Sequence, residues 1–140
     1  MKYDKLILGL FAGFVVTGLG IFFFENIGRT LFDEYKNAPY DPAFLDEFVM
    51  RLPTGAFIAL LLAHVGGVFL GSLSASFISK WTRYVPAVVI GTVLFSFSVI
   101  TASEIQHPLW YSILDTALVI PTALLAHKVY LTIVTDPLKV

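Results

Sequence analysis

Between Arg51 and Lys80 the chain carries no Asp, Glu, Lys or Arg, and a small residue returns there at every fourth position. Gly55, Ala59, Ala63, Gly67, Gly71, Ala75 and Ser79 form the series, set among Phe, Leu, Ile and Val, with His64 as the one ionisable side chain. At a rise of about 1.5 Å per residue this uncharged stretch exceeds the roughly 30 Å hydrocarbon core of a bilayer. Small residues four apart let helix backbones approach closely, and in lipid such packing replaces the hydrophobic effect as the associating force. The stretch therefore reads as the central helix of a membrane bundle. Four residues turn about 400°, so the stripe drifts by about 40° per step. That drift suits either a right-handed crossing or different partners at the two ends.

The remainder agrees with a polytopic membrane protein. Of 140 residues, 57% are hydrophobic and 14% charged, well below the roughly 25% charged residues of soluble domains. A net charge of −1 gives no field to draw in nucleic acid, and the lack of Cys excludes disulfides and thiolate chemistry. Leu6 to Phe24 is uncharged and follows Lys2 and Lys5. Its length and its bulky end, Ile21 to Phe24, favour a retained first span over a cleavable signal peptide. Gly9, Gly13 and Thr17 stand four apart there, a groove for a partner such as the second helix. The expected architecture is an all-α, single-domain bundle with spans at about 5–27, 53–79, 84–103 and 108–130.

Between the first two spans the chain is acidic and aromatic. Pro39 and Pro42 break any continuous helix, and Asp41 before Pro42 reads as a helix start. Phe44, Leu45, Phe48, Val49 and Leu52 then share one face. This predicts an amphipathic helix at about 42–52, lying on the membrane surface or capping the bundle, as anchor or as lid. Lys2, Lys5, Lys80, Arg83, Lys128 and Lys139 fall on one side, against Arg29, Lys36 and Arg51 on the other. That asymmetry places both termini in the cytoplasm of a cell whose inner membrane holds the chain. Trp81, Tyr84 and Tyr130 would mark the inner interface; Tyr40, Trp110 and Tyr111 the outer one.

Chemistry concentrates in a few intramembrane groups. Asp115 lies seven residues past Pro108, about 10 Å from the outer side, and His64 eleven past Pro53, about 16 Å from the same side. A carboxylate at such depth costs roughly 2.5–3.5 kcal/mol near the centre, so it should face the bundle and find a partner. The expectation is that Asp115 and His64 communicate, with Glu25, Arg29, Glu104 and His107 forming an outer mouth. Glu25 and Arg29, spaced i and i+4, can also pair as the first helix leaves the hydrocarbon. His127 sits about 30 Å down its span, too far from His64 to share a haem, and reads as interfacial beside Lys128. Gly71-Ser72-Leu73-Ser74 lacks the spacing of a nucleophile elbow, and no His or carboxylate spacing identifies a metal site.

Leu62-Ala63-His64-Val65-Gly66-Gly67 with Gly71, and Pro108-Leu109-Trp110-Tyr111 followed by Asp115 and Pro121, resemble motifs of a group of small, uncharacterised bacterial inner-membrane proteins with four spans. Glu25-Asn26-Ile27-Gly28 is similar too, although that group often has His where this chain has Arg29. The resemblance implies topology and a bacterial source and points to His64 and Asp115; it implies no activity and no cofactor. Two roles are expected. One is a non-enzymatic accessory component that self-assembles, or joins a larger membrane protein, through the small-residue stripe Gly55, Ala59, Ala63, Gly67, Gly71 and Ala75. The other is a minimal transporter or channel for protons, a cation or a small solute at His64 and Asp115, working as an oligomer because four short spans enclose little volume.

Overall fold

Each apolar run folds as one helix, because only a backbone bonded within its own segment can cross hydrocarbon. The computed structural model describes residues 2–39 and 41–135, without the side chains of residues 2 and 42. Tyr40 and Lys139, assigned above to the two membrane faces, lie outside the described residues. Helices α1 (Lys2–Leu31), α4 (Thr54–Ser79), α5 (Val85–Glu104) and α6 (Leu109–Thr135) are long and apolar enough to cross a membrane. Two short helices, α2 (Asp33–Lys36) and α3 (Leu45–Met50), lie between α1 and α4, with a 3-10 turn at Pro42–Phe44 before α3. The chain is an all-α bundle, and no strand occurs among the described residues.

α1 and α6 run past their expected limits, to Leu31 and Thr135, while α4 and α5 match theirs to within one residue. α1 continues to Leu31 because polar side chains fold back on its last turns: Asn26 Nδ2 donates to the Phe22 carbonyl at 2.7 Å and Thr30 Oγ1 to that of Ile27 at 2.7 Å. Pro121 stands inside α6, and the helix continues through it to Thr135. Lys80 ends α4 in the left-handed region at φ 53°, where glycine is usual, and its N–H donates to the Ser76 carbonyl at 3.0 Å. The segment expected as one amphipathic helix at 42–52 is a 3-10 turn followed by six residues of α3, and α2 was not anticipated at all.

The small-residue stripe packs on one partner along its whole length. A Cβ added at Gly9 would lie 2.8 Å from the Ala75 carbonyl oxygen, and one at Gly13 2.9 Å from that of Gly71. Further along, Gly20 faces Gly67 at 3.1 Å, Gly28 faces Ala59 at 3.2 Å, and Gly55 abuts the Phe32 ring. These pairs run in opposite chain directions, so α1 and α4 are antiparallel and in contact from end to end. Thr17, buried in this seam, bonds the Gly13 carbonyl with its hydroxyl at 2.9 Å and packs over Gly71, whose missing side chain gives it room. The alternative of different partners at the two ends of the stripe does not occur.

The opposite side of α4 meets α6 and α5. Ala87, Ala123 and Ala126 are fully buried, as Ala63 and Ala75 are in the stripe of α4, and Ile90 is the largest fully buried side chain among the described residues. Phe11, Leu19, Phe22, Leu62, Phe97 and Ile113 instead point outward. A bundle with alanine inside and phenylalanine outside is the arrangement of a multi-pass membrane protein, where the surface solvent is lipid. One end is roofed by α2, α3 and the loop before α6. The start of α1, the α4–α5 turn and the end of α6 form the other, terminal end.

Candidate functional site

α4 and α6 run parallel, and each places one ionisable group on the face it turns to the other. His64 Nδ1 lies 2.6 Å from Asp115 Oδ1. The second carboxylate oxygen accepts the Ser98 hydroxyl of α5 at 2.6 Å, and Ser98 Oγ also stands 3.2 Å from Thr116 Oγ1. Both carboxylate oxygens are thus taken by hydrogen bonds, and with Asp115 ionised the proton of a neutral His64 resides on Nδ1. Asp115 is buried, whereas the His64 side chain keeps 29% of its surface. Among the described residues, His64 Nε2 has no hydrogen-bond partner, and it is not buried.

That exposure is to a cavity of about 410 Å³ that is lined by all four long helices and partly open to the outside, with the exposed Phe97 on its wall. Its volume lies in the range of small-molecule sites, which run from roughly 300 to 1,000 Å³. A single chain therefore lines a ligand-sized space, although that space stays partly open. Leu45, Phe48, Val49 and Leu52 cover it from the roof and pack with Phe57 and Tyr111. Phe44, expected on this apolar face, points away and is exposed. The amphipathic segment is thus a roof, clipped down where Asp46 Oδ1 accepts the Gln106 backbone N–H at 3.0 Å. Toward the terminal end, the cavity stops where Val68, Ala87, Val119 and Ala123 pack together. Ile90 also seals α5 against α1: a Cβ at Gly13 would stand 2.6 Å from its Cδ1.

The groups expected at the mouth divide. Glu25, Arg29 and His107 line the cavity; Glu104 is exposed and contributes nothing to its wall. The line through Leu94, Ser98, Thr101 and Ile105 faces inward, and Glu104 is turned about 100° from it. Arg29 is 4.0 Å from Glu25, and its guanidinium lies over the Tyr35 ring at 5.2 Å. Burial, reinforced by the Glu25 carboxylate, pushes the Tyr35 phenol up to about 12, so it stays protonated. His107 packs on Tyr111 at 5.1 Å between ring centres, with Nδ1 donating to the Ile105 carbonyl at 3.1 Å. Burial holds its pKa below the usual histidine value, against the smaller opposing pull of that carbonyl.

Three residues assigned to the membrane interfaces are in the interior. Tyr111 and Tyr130 are buried, and His127 is fully so. His127 Nδ1 is 2.8 Å from Ser76 Oγ, and its ring sits 4.7 Å from that of Tyr84 and 5.5 Å from that of Tyr130. The α4–α5 turn folds over it and excludes water. Ser72, one turn from Ser76, is fully buried as well, with no nucleophilic role open to it.

Sequence reasoning missed Ser98, although a signal existed. It stands six residues before the end of α5, and Asp115 six after the start of α6. A tight hairpin puts such positions at equal depth. Chemically, the site is an imidazole oriented by a carboxylate, with its far nitrogen open to the cavity. It can take up a proton or accept a hydrogen bond. Nucleophilic catalysis would need a hydroxyl paired with Nε2, and none of the described residues supplies one. No group of three His, Cys, Asp or Glu side chains among the described residues is placed to hold a metal ion. Comparison with protein families, with characterised proteins and with solved structures gives no match for this chain.

Proposed function

We propose that this chain is a small carrier of the bacterial inner membrane that admits a solute or cation into its cavity and links its passage to protonation of the His64–Asp115 pair. One observation carries the reading: the pair, joined at 2.6 Å, lies deep in an intramembrane cavity of about 410 Å³ with His64 Nε2 unpartnered. Ionisable groups inside a membrane are costly, and a cavity beside them makes a transport or binding role the default inference. The excess of Lys and Arg at the terminal end supports cytoplasmic termini, with the roof on the outer side. Ile90 and the apolar packing beneath the cavity would then be the barrier on the cytoplasmic side.

The competing role, self-assembly through the stripe on α4, draws less support. α1 of the same chain already fills that stripe from Gly55 to Ser79, which leaves it unavailable to a second molecule. The test is reconstitution into liposomes that contain a pH-sensitive dye. Addition of a panel of small amines, alcohols and carboxylates should produce a solute-dependent change of internal pH beyond that of empty liposomes with the wild-type chain, and no such excess with Asp115→Asn. Equal signals from the two proteins and from empty liposomes would refute a carrier.

A further inference from the structure

The charge inventory of the cavity restricts what it accepts. Two carboxylates, Glu25 and Asp115, and one guanidinium, Arg29, line it, and no lysine does. Arg29 and Glu25, 4.0 Å apart near the roof, offset each other. Deeper in, Asp115 is bonded by His64 and by the Ser98 hydroxyl, so with an uncharged imidazole the site carries one net negative charge in a low-dielectric setting. The open group beside it, His64 Nε2, presents a lone pair when the neutral imidazole keeps its proton on Nδ1 and donates that N–H to Asp115. Phe57 and Tyr111, with ring centres 5.3 Å apart, add aromatic surface, which attracts cations at its faces. An acceptor, a net negative charge and aromatic walls all select the same kind of guest.

Resting on the carrier reading, we propose that the solute is an amphipathic organic monocation, a protonated amine on a compact apolar body, and that it competes with a proton for the His64–Asp115 pair. The ammonium donates to Nε2 of neutral His64 while its body lies against Phe57 and Leu60. When His64 takes up a proton instead, Nε2 becomes a donor and the pair's net charge falls to zero. The ammonium then loses both acceptor and counter-charge, so one guest excludes the other. The charged or titratable groups facing this position are Glu25 and Arg29 from α1, Tyr35 from α2, His107 from the loop, and Tyr111 and Asp115 from α6. α5 contributes only uncharged groups, and on α3 Asp46 and Glu47 are engaged by Gln106 and Arg51.

Titration calorimetry on the full chain in detergent, with 2-phenylethylammonium, 2-phenylethanol and 3-phenylpropanoate as probes, tests this. At about pH 8 the ammonium should bind at least about tenfold more tightly than either of the others, and lowering the pH to about 5, below the ordinary histidine range, should weaken it at least about tenfold. Asp115→Asn should abolish that preference. Because this variant can also unsettle the fold, Leu45→Trp, which enlarges a roof side chain of the cavity on neither of the helices that carry the pair, should abolish binding independently. Binding of the alcohol as tight as that of the ammonium, preference for the carboxylate, or ammonium binding unaffected by pH would each overturn the cation assignment and leave the cavity as a solute site. Failure of all three probes to bind at either pH would overturn both.

Discussion

His64 bonds Asp115 at 2.6 Å, and the offset of 51 residues that joins them recurs between Ser76 and His127 at 2.8 Å. Both contacts link α4 to α6, and the second stands twelve residues further along each helix. A constant offset is what two parallel helices in fixed register produce. The two rungs, about 18 Å apart by helical rise, differ in surroundings. One borders a cavity; the other is sealed beneath the α4–α5 turn.

The first rung should be energetically coupled. A double-mutant cycle with His64→Gln and Asp115→Asn is expected to give an interaction of about 0.6–2 kcal/mol, the range for polar contacts between membrane helices. Ser98→Ala, which removes the donor to the other carboxylate oxygen, should destabilise by a similar amount. Unfolding in mixed micelles measures all three. A coupling near zero would mean that the pair does not form.

The second rung should matter for stability alone. Ser76→Ala leaves His127 Nδ1 without its partner in a fully buried position, at an expected cost of about 1–3 kcal/mol. Solute-dependent flux at a temperature where the variant is folded should remain that of the wild type.

Glycines on the α1–α4 seam should not tolerate a methyl group. Gly71→Ala drives its Cβ into Thr17 and to 2.5 Å from the Gly13 carbonyl oxygen, an overpacking expected to cost about 1–3 kcal/mol or more. Gly18 has no atom within 4 Å of a Cβ, so Gly18→Ala should be neutral or stabilising by up to about 1 kcal/mol through helix propensity. Thermal unfolding of the two variants side by side decides whether the stripe is an internal seam.

His107 should make the fold acid-sensitive. Burial lowers its pKa in the folded chain, so the unfolded chain binds the proton first as pH falls below about 6.5. Stability is therefore lost as pH drops from the unfolded value toward the folded one, and restored above it. His107→Gln removes this contribution. The difference in stability between about pH 7.5 and 5.5 should be smaller in the variant than in the wild type, as read from denaturant midpoints.

The roof should loosen when its clip is cut. Asp46→Ala removes the acceptor for the Gln106 N–H, worth about 0.5–1.5 kcal/mol at this exposed position. Hydrogen exchange should quicken across Leu45–Met50 and stay unchanged in the centre of α4.

Much of this molecule follows from local sequence. The uncharged lengths of α1, α4, α5 and α6 require membrane-crossing helices. The four-residue spacing of Gly55 to Ser79, matched by Gly9, Gly13 and Thr17, marks two faces made for close approach. The depth of Asp115 required a partner, and His64 was the one imidazole near that level. These features are set by rise and turn along a single helix, so they can be read from position alone. What position did not give were the cavity between the helices, the roof made by Val49 and its neighbours, the exclusion of Glu104 from the wall, and the buried places of Tyr111, Tyr130 and His127. A tyrosine or histidine near a helix end suits a lipid interface and a packed seam with a polar partner equally well. Which of the two it occupies depends on how far neighbouring helices extend and lean, and those contacts join residues remote from one another along the chain.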